Sequence, residues 1–252
     1  MSEYDFGYSP WWTHGHLIPF GIAAAVTLLA VWRRWPRWLS LAGGLVAAWA
    51  LIGFAIVQLV LGANRPLDLP TTAFFRAGRG EVLDVGAGSG RSTVMVLRER
   101  PDARVTALDI YQGYFGIDDN TPDRLLANAR AAGAEARVEV VTGDMRAMPL
   151  PRARFDAAVS AAAIDHLNRE DIAKALREVS RVIKDDGEFL LIVVNVDFWV
   201  RLAYPMAHHG YFGHSPSAQA WRERLELAGF RIVEQGTKPA TLYFLARKAA
   251  VN

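Results

Sequence analysis

The chain reads as a doubly wound α/β domain with a mostly parallel seven-stranded sheet, preceded by an apolar hairpin of two helices. Three observations predict this. Short β-type runs alternate with helix-period segments from residue 81 onward and finish with two consecutive strands. The first run, Glu81–Val85, breaks into the turn Gly86-Ala87-Gly88-Ser89-Gly90 and a helix-like stretch follows. Residues 11–32 and 38–64 contain no Asp, Glu, Lys or Arg.

Those two runs are 22 and 27 residues long, enough to cross a hydrocarbon core of about 30 Å at about 1.5 Å per residue. Arg33-Arg34-Trp35-Pro36-Arg37 separates them. Tryptophans 11, 12, 32, 35 and 38 border them, where aromatic side chains sit at a membrane–water boundary. A signal peptide fits poorly, because the N-terminus is acidic (Glu3, Asp5) and the first run meets arginines and a second run. The expected division is a transmembrane hairpin over 1–64 (helices about 11–32 and 38–62), a linker over 65–80 and an α/β domain over 81–252. Pro66 and Pro70 punctuate the linker, and 71–77 is expected as a short interfacial helix.

In the domain, Arg104–Asp109 is the second strand and Arg137–Thr142 the third. Thr121-Pro122 starts the helix between them, and Gly133 stops it. Phe155–Ser160 is the fourth strand. Asn168 caps a helix whose apolar positions Ile172, Leu176, Val179 and Ile183 keep the helical period, and Asp185-Asp186-Gly187 ends it. Glu188–Val194 is nearly all apolar, as a central strand covered on both faces should be. Ser215-Pro216 opens a last helix that reaches Gly229. Strands Phe230–Glu234 and Thr241–Arg247 close the chain, so one antiparallel strand belongs near the sheet edge.

The glycine loop has the spacing G-x-G-x-G, with Arg91 where a dinucleotide fingerprint needs its third glycine. A pyrophosphate ligand is thereby disfavoured, and a nicotinamide-dependent oxidoreductase with it; a nucleoside ligand is favoured. Asp109 ends the second strand nineteen residues after Gly90, where an acid can accept both hydrogen bonds from a ribose diol. Gly143-Asp144-Met145 follows the third strand, so a carboxylate there can accept from an exocyclic adenine amine while Met145 packs on the ring.

This order of motifs over about residues 75–248 resembles the class I S-adenosylmethionine-dependent methyltransferases, with their Rossmann-like fold. The resemblance implies S-adenosyl-L-methionine as cofactor and a role for each motif residue. Asp84, Gly86, Ala87, Gly88 and Gly90 would face the methionine part. Asp109 and Ile110 would hold the ribose side, Asp144 and Met145 the adenine, and Ser160 and Ala161 would line the pocket near the sulfonium. The Asp84–Gly90 loop and the Gly143-Asp144-Met145 turn resemble the quinone and phospholipid branch, whose usual soluble form lacks a two-helix hairpin.

Two segments exceed what connectors need. Tyr111–Asn120 carries Tyr114 and Phe115; Asn195–His214 carries Phe198, Trp199, Tyr204, His208, His209, Tyr211, Phe212 and His214. Both leave the carboxyl ends of strands, where open α/β sheets bind ligands, so Tyr114, Phe115, His208 and Tyr211 are expected to touch the acceptor. His166, just past the fourth strand, and His209 are the candidate catalytic bases; Asp165 reads as a solvated neighbour. No metal is expected, because adjacent histidines point apart and no acid completes a ligand set.

Composition narrows the rest. A net charge of +2, scattered along the chain, gives no basic patch for nucleic acid, and the absence of cysteine excludes thiolate chemistry and disulfides. The expected function is a membrane-anchored methyltransferase (EC 2.1.1.-) acting on a hydrophobic small molecule: a quinone precursor, lipid head group, thiol or phenol. The alternative is a membrane scaffold that binds the cofactor without transferring methyl. Arginines are nearly balanced across the hairpin, so cofactor supply sets the expected location: the cell (inner) membrane, with the catalytic domain cytoplasmic. A homo-oligomer is left open.

Overall fold

A computed structural model describes residues 4–62, 64–112, 117–205 and 216–249. Its centre is a seven-stranded sheet in the order β3-β2-β1-β4-β5-β7-β6. The strands are β1 (Arg79–Val85), β2 (Asp102–Asp109), β3 (Val138–Thr142), β4 (Phe155–Ala161), β5 (Ile183–Val194), β6 (Phe230–Lys238) and β7 (Thr241–Lys248). The first five are parallel, and β7 runs antiparallel between β5 and β6. Chain order reverses between β1 and β4, so their carboxyl ends form the crevice where such sheets bind ligands.

The helices follow the apolar periodicity. They are α4 (Arg91–Glu99), α5 (Pro122–Ala131), α6 (Arg169–Val182), α7 (Phe198–Ala203) and α8 (Ala218–Leu227). Thr121 caps α5 by accepting from the Arg124 N–H, and Asn168 caps α6 by accepting from the Asp171 N–H. Two apolar clusters cover the two faces of the sheet: Leu83, Leu108, Phe155, Ile172, Val179, Phe189 and Trp221 belong to one, and Phe74, Val82, Met95, Val105 and Leu190 to the other.

Three local expectations are corrected. Strand β5 begins at Ile183, because the Asp185-Asp186-Gly187 stretch continues its strand instead of ending α6 in a separate turn. Helix α8 starts at Ala218, where the Ser217 side chain accepts from the Ala220 N–H. Residues 71–77 form turns, not an interfacial helix. Phe74 and Phe75 are buried there, and the Arg100 guanidinium donates to the carbonyls of Thr72, Phe74 and Phe75.

The N-terminal part folds as α1 (Pro10–His14), α2 (Leu17–Trp32) and α3 (Arg37–Ala55), and a π-helical segment, Ile56–Leu61, extends α3. Pro10–Trp32 and Arg37–Leu61 are long and apolar enough to cross a membrane, and most of their surface is exposed. Small residues let α2 and α3 touch: a Cβ on Gly43 would collide with the Thr27 side chain, and Ala23, Ala30 and Ala50 are buried.

The hairpin is docked on the sheet domain, not merely tethered to it. The Trp49 indole N–H donates to the Leu202 carbonyl at 2.9 Å, and His16 Nε2 lies 2.7 Å from the Ala203 carbonyl. The Tyr204 hydroxyl donates to the Trp12 carbonyl at 2.8 Å, and Ile56 and Val57 bury Ala203 between them. The hairpin therefore rests on α7, the element that follows β5.

Candidate cofactor and acceptor site

Strand β1 delivers the glycine loop into the crevice. Gly86, Gly88 and Gly90 have φ of +74°, +52° and +89°, the left-handed region that a side chain resists. They serve different ends. A Cβ on Gly86 would strike Ala163 and reach Met145 Cε at 3.0 Å, and one on Gly90 would meet Leu125 Cγ at 2.9 Å. Both are close approaches within the protein. A Cβ on Gly88 meets only Ile117 Cδ1, at 3.2 Å, among the described residues, so Gly88 leaves room on the ligand side. Ala87 is buried against Leu125.

Asp84 is fully buried and accepts from the Ser92 and Thr93 hydroxyls at 2.8 and 2.6 Å. Burial pushes its carboxyl up to about 6, against the lowering effect of those hydroxyls. Asp84 therefore ties β1 to the first turn of α4, and its carboxylate is spent inside the fold. Ser160 is likewise engaged: its hydroxyl donates to the Val85 carbonyl at 2.8 Å, joining β4 to β1. Ala161, one residue on, is only partly covered.

Asp109 organises the opposite wall. One carboxylate oxygen accepts from the Gly88 N–H at 2.9 Å; the other accepts from the Tyr111 N–H at 2.8 Å and the Asn120 amide at 3.3 Å. With about four acceptor sites on a carboxylate, room remains for about one further donor. Beside it, the Tyr111 hydroxyl and Asn120 Oδ1 are buried and have no partner among the described residues. Such orphaned polar atoms call for an explanation. A polar ligand seated there would meet a donor and an acceptor. Tyr111 also has φ +49°, a strained conformation for a bulky residue, and burial raises its phenol. Ile110 is exposed at the rim.

Asp144 is gripped by Arg146, whose guanidinium contacts both carboxylate oxygens at 2.6 to 3.0 Å. That pairing holds its carboxyl below the usual range, and an adenine amine would have to share the carboxylate with Arg146. Met145 is partly buried against the core.

On the acceptor side, His166 ends a 3-10 turn, Ile164–His166, directly after β4. Asp165 is buried instead of solvated. One oxygen accepts from the Val194 N–H at 2.8 Å, which locks the turn to the end of β5; the other has no partner among the described residues, and burial raises the carboxyl. His209, His208, Tyr211, Tyr114 and Phe115 lie outside the described residues.

Sequence reasoning missed the N-terminal strap. Phe6 is fully buried, the Gly7 carbonyl accepts from the Asp118 N–H at 2.6 Å, and Tyr8 bridges Ile117. Asn128 joins strap to loop, donating to the carbonyls of Asp5 and Ser89. Asp5 also pairs with Arg124. Arg91, the residue that breaks the dinucleotide spacing, donates to the carbonyls of Leu61, Gly62 and Arg65, and so caps the end of the hairpin. The available signals were a polar Asn128 beside Ala129 on an apolar face, and a cation, Arg91, in the first turn of a helix, where the helix dipole disfavours it.

Comparisons with known proteins agree with this geometry. Residues 82–187 match the family model described as a methyltransferase domain. The ubiquinone/menaquinone biosynthesis C-methyltransferase of Methylobacterium nodulans is 33% identical over 153 residues, 60% of this chain and 51% of that one. The chloroplastic 2-methyl-6-phytyl-1,4-hydroquinone methyltransferase 1 of Oryza sativa subsp. japonica is 32% identical over 121 residues, 48% of this chain and 33% of that one. The chain thus spans about half the length of the first relative and a third of the second. Among solved structures, an O-methyltransferase family 2 protein from Planctomyces limnophilus, in complex with apigenin, superposes with a TM-score of 0.56 at 19% identity. That superposition covers 91% of this chain and 62% of the other. Residues 82–187, which span β2 to β4 and parts of β1 and β5, thus match a methyltransferase domain, and the seven-stranded sheet that contains them has the fold of S-adenosylmethionine-dependent methyltransferases.

Proposed function

We propose that this protein is a membrane-anchored methyltransferase whose acceptor is a hydrophobic phenol or quinol that partitions into the bilayer. The observation that carries the reading is the docking of an apolar, mostly exposed hairpin on α7, the helix that follows the carboxyl end of β5. Two relatives named for quinone and hydroquinone methylation support the acceptor class.

S-adenosylmethionine supplies an electrophilic methyl group on a sulfonium; alignment and exclusion of water are left to the protein. Gly88 would give the backbone close access to the cofactor, and Asp109 would accept from its ribose with the remaining capacity. Tyr111 Oη and Asn120 Oδ1 satisfy their orphaned valences on the same ligand. Ala161 and Ala163 offer an apolar wall near the reacting centre. His166, at the acceptor side of that wall, takes the phenol proton as the acceptor oxygen or ring carbon becomes nucleophilic. The catalytic domain faces the cytoplasm, where the cofactor is made.

The test uses the full chain in phospholipid vesicles with S-adenosylmethionine and a panel of hydroquinones and phenols, each with and without a polyprenyl tail. The expected result is S-adenosylhomocysteine formed in step with methylated product, and faster for the tailed member of each pair. Cofactor binding by calorimetry with no turnover of any acceptor would overturn methyl transfer and leave a cofactor-binding scaffold. Equal rates for tailed and tail-less acceptors would overturn the membrane-partitioning substrate.

A further inference from the structure

The docking of the hairpin fixes how deep the catalytic domain sits. We infer that α7 is a third lipid-contacting element, sunk into the near leaflet, so that the acceptor side of the domain opens beside lipid instead of water. This rests on the membrane reading above.

The tip of the hairpin sets the far boundary. Arg33, Arg34 and Arg37 are exposed there, and a guanidinium left at the bilayer centre is strongly disfavoured. The tip therefore reaches the far headgroups. A hydrocarbon thickness of about 30 Å takes up about 20 helical residues, which puts the near boundary close to Val57 on the second span and Trp12–Thr13 on the first. Trp49 then stands about 12 Å inside that boundary. Its indole nonetheless reaches the Leu202 carbonyl of α7, and His16 and Gly53 pack at the level of Ala203. The C-terminal end of α7 must lie within the near leaflet.

The surface of α7 fits that depth. Phe198 is 66% exposed and Trp199 39%, side by side with ring centroids 5.5 Å apart, whereas Val200 and Ala203 are buried. Two adjacent large aromatics left uncovered on a six-residue helix are costly in water and favoured at a lipid boundary. The charges at α7 are handled locally. Asp197 accepts from the Trp199, Val200 and Ala240 N–H groups. Arg201 donates to the Val196 carbonyl through Nε, and its exposed side chain is long enough to reach lipid phosphates.

The chain has no cysteine, so single reporters can be placed without background. Full-length Leu45→Cys (hairpin), Phe198→Cys and Trp199→Cys (α7) and Leu227→Cys (remote end of α8) are labelled with an environment-sensitive fluorophore. Each is reconstituted in phosphatidylcholine–phosphatidylglycerol vesicles and challenged with acyl-chain nitroxide lipids and with aqueous iodide. The expected result is that Leu45, Phe198 and Trp199 labels are quenched several times more by the nitroxide lipids than by iodide, and the Leu227 label the reverse. If the Leu45 label reports lipid while the α7 labels behave like Leu227, this inference falls and the anchor stands. If the Leu45 label also reports water, the membrane reading falls, and the inference with it. Should one α7 variant fail to fold, the other gives the reading.

Discussion

Leucines meet opposite fates in the two halves of this molecule. In the sheet and the helices that cover it, Leu83, Leu108, Leu125 and Leu176 are fully buried; in the hairpin, Leu28 is 71% and Leu45 72% exposed. The sheet covers its own apolar surface on both faces, and that burial drives its folding in water. The hairpin buries mainly small residues where α2 meets α3, and turns its large side chains outward. Its attachment to the domain joins a small apolar contact of Ile56, Val57 and Ala203 to directed bonds: Trp49, Tyr204 and Arg91 donate to backbone carbonyls across the junction, and the Asp5 N–H donates to the Asn128 side chain. One region is held by what it hides, the other by what surrounds it and by a few directed bonds.

The contrast can be broken most forcefully in the core. Phe155→Ala should cost about 3–5 kcal/mol of stability, through lost transfer free energy and the cavity left behind. Leu45→Ala should stay within about 0.5 kcal/mol, as for an exposed position. Chemical denaturation of both in the same detergent measures the difference; equal losses would mean that the hairpin face is covered by protein.

The glycine loop gives the next effect. Gly88→Val should weaken S-adenosylmethionine binding by at least about 100-fold, roughly 2.7 kcal/mol, because the new side chain enters the ligand space while nearby protein atoms are sparse. Gly86→Val should instead lower the melting temperature, since its Cβ collides with Ala163 inside the fold. Calorimetry separates affinity from stability. A Gly88→Val protein that binds as the parent does would remove the loop from the site.

Asp84 sharpens the comparison through pH. Its carboxyl is raised from 3.8 to about 6 by burial, so the folded state holds a proton that the unfolded chain has released. Stability from this group is full below about pH 4, falls as pH rises toward 6 and levels off above, a change of roughly 3 kcal/mol at about 1.36 kcal/mol per unit. Asp84→Asn should remove that slope. Unfolding between pH 4 and 7 checks it, and an unchanged slope in the variant would assign the effect elsewhere.

Smallest of the four, Arg91→Ala should cost about 1.5–3 kcal/mol, the range for hydrogen bonds to a charged group. The loss should fall on the junction, read as faster proteolysis of the linker over 65–80. Arg91→Lys should not rescue it, because a single ammonium lacks the fork that reaches the carbonyls of Leu61, Gly62 and Arg65 together. Linker cleavage at the parent rate in Arg91→Ala would move the hairpin's anchorage to α7 alone.

The sequence by itself determined the seven strands, the capped helices α5 and α6, the antiparallel finish and the glycine turn. Each depends on periodicity and turn chemistry within a few residues of chain. It also determined that residues 11–32 and 38–64 cannot share the charged surface of the domain. The tertiary structure alone decided where the carboxylates spend their bonds. Asp84 looks like a ligand group beside Gly86, but Ser92 and Thr93 claim it once α4 folds back; Asp165 looks solvated until Val194 arrives from the next strand. It also decided that the hairpin sits on α7, through bonds between residues more than 150 positions apart, such as His16 with Ala203 and Trp49 with Leu202. Local sequence carries the spacing of side chains along one element. It carries no record of which distant backbone carbonyl an indole or imidazole will face, because that is fixed only when the sheet has closed and the burial of both partners leaves each a single neighbour.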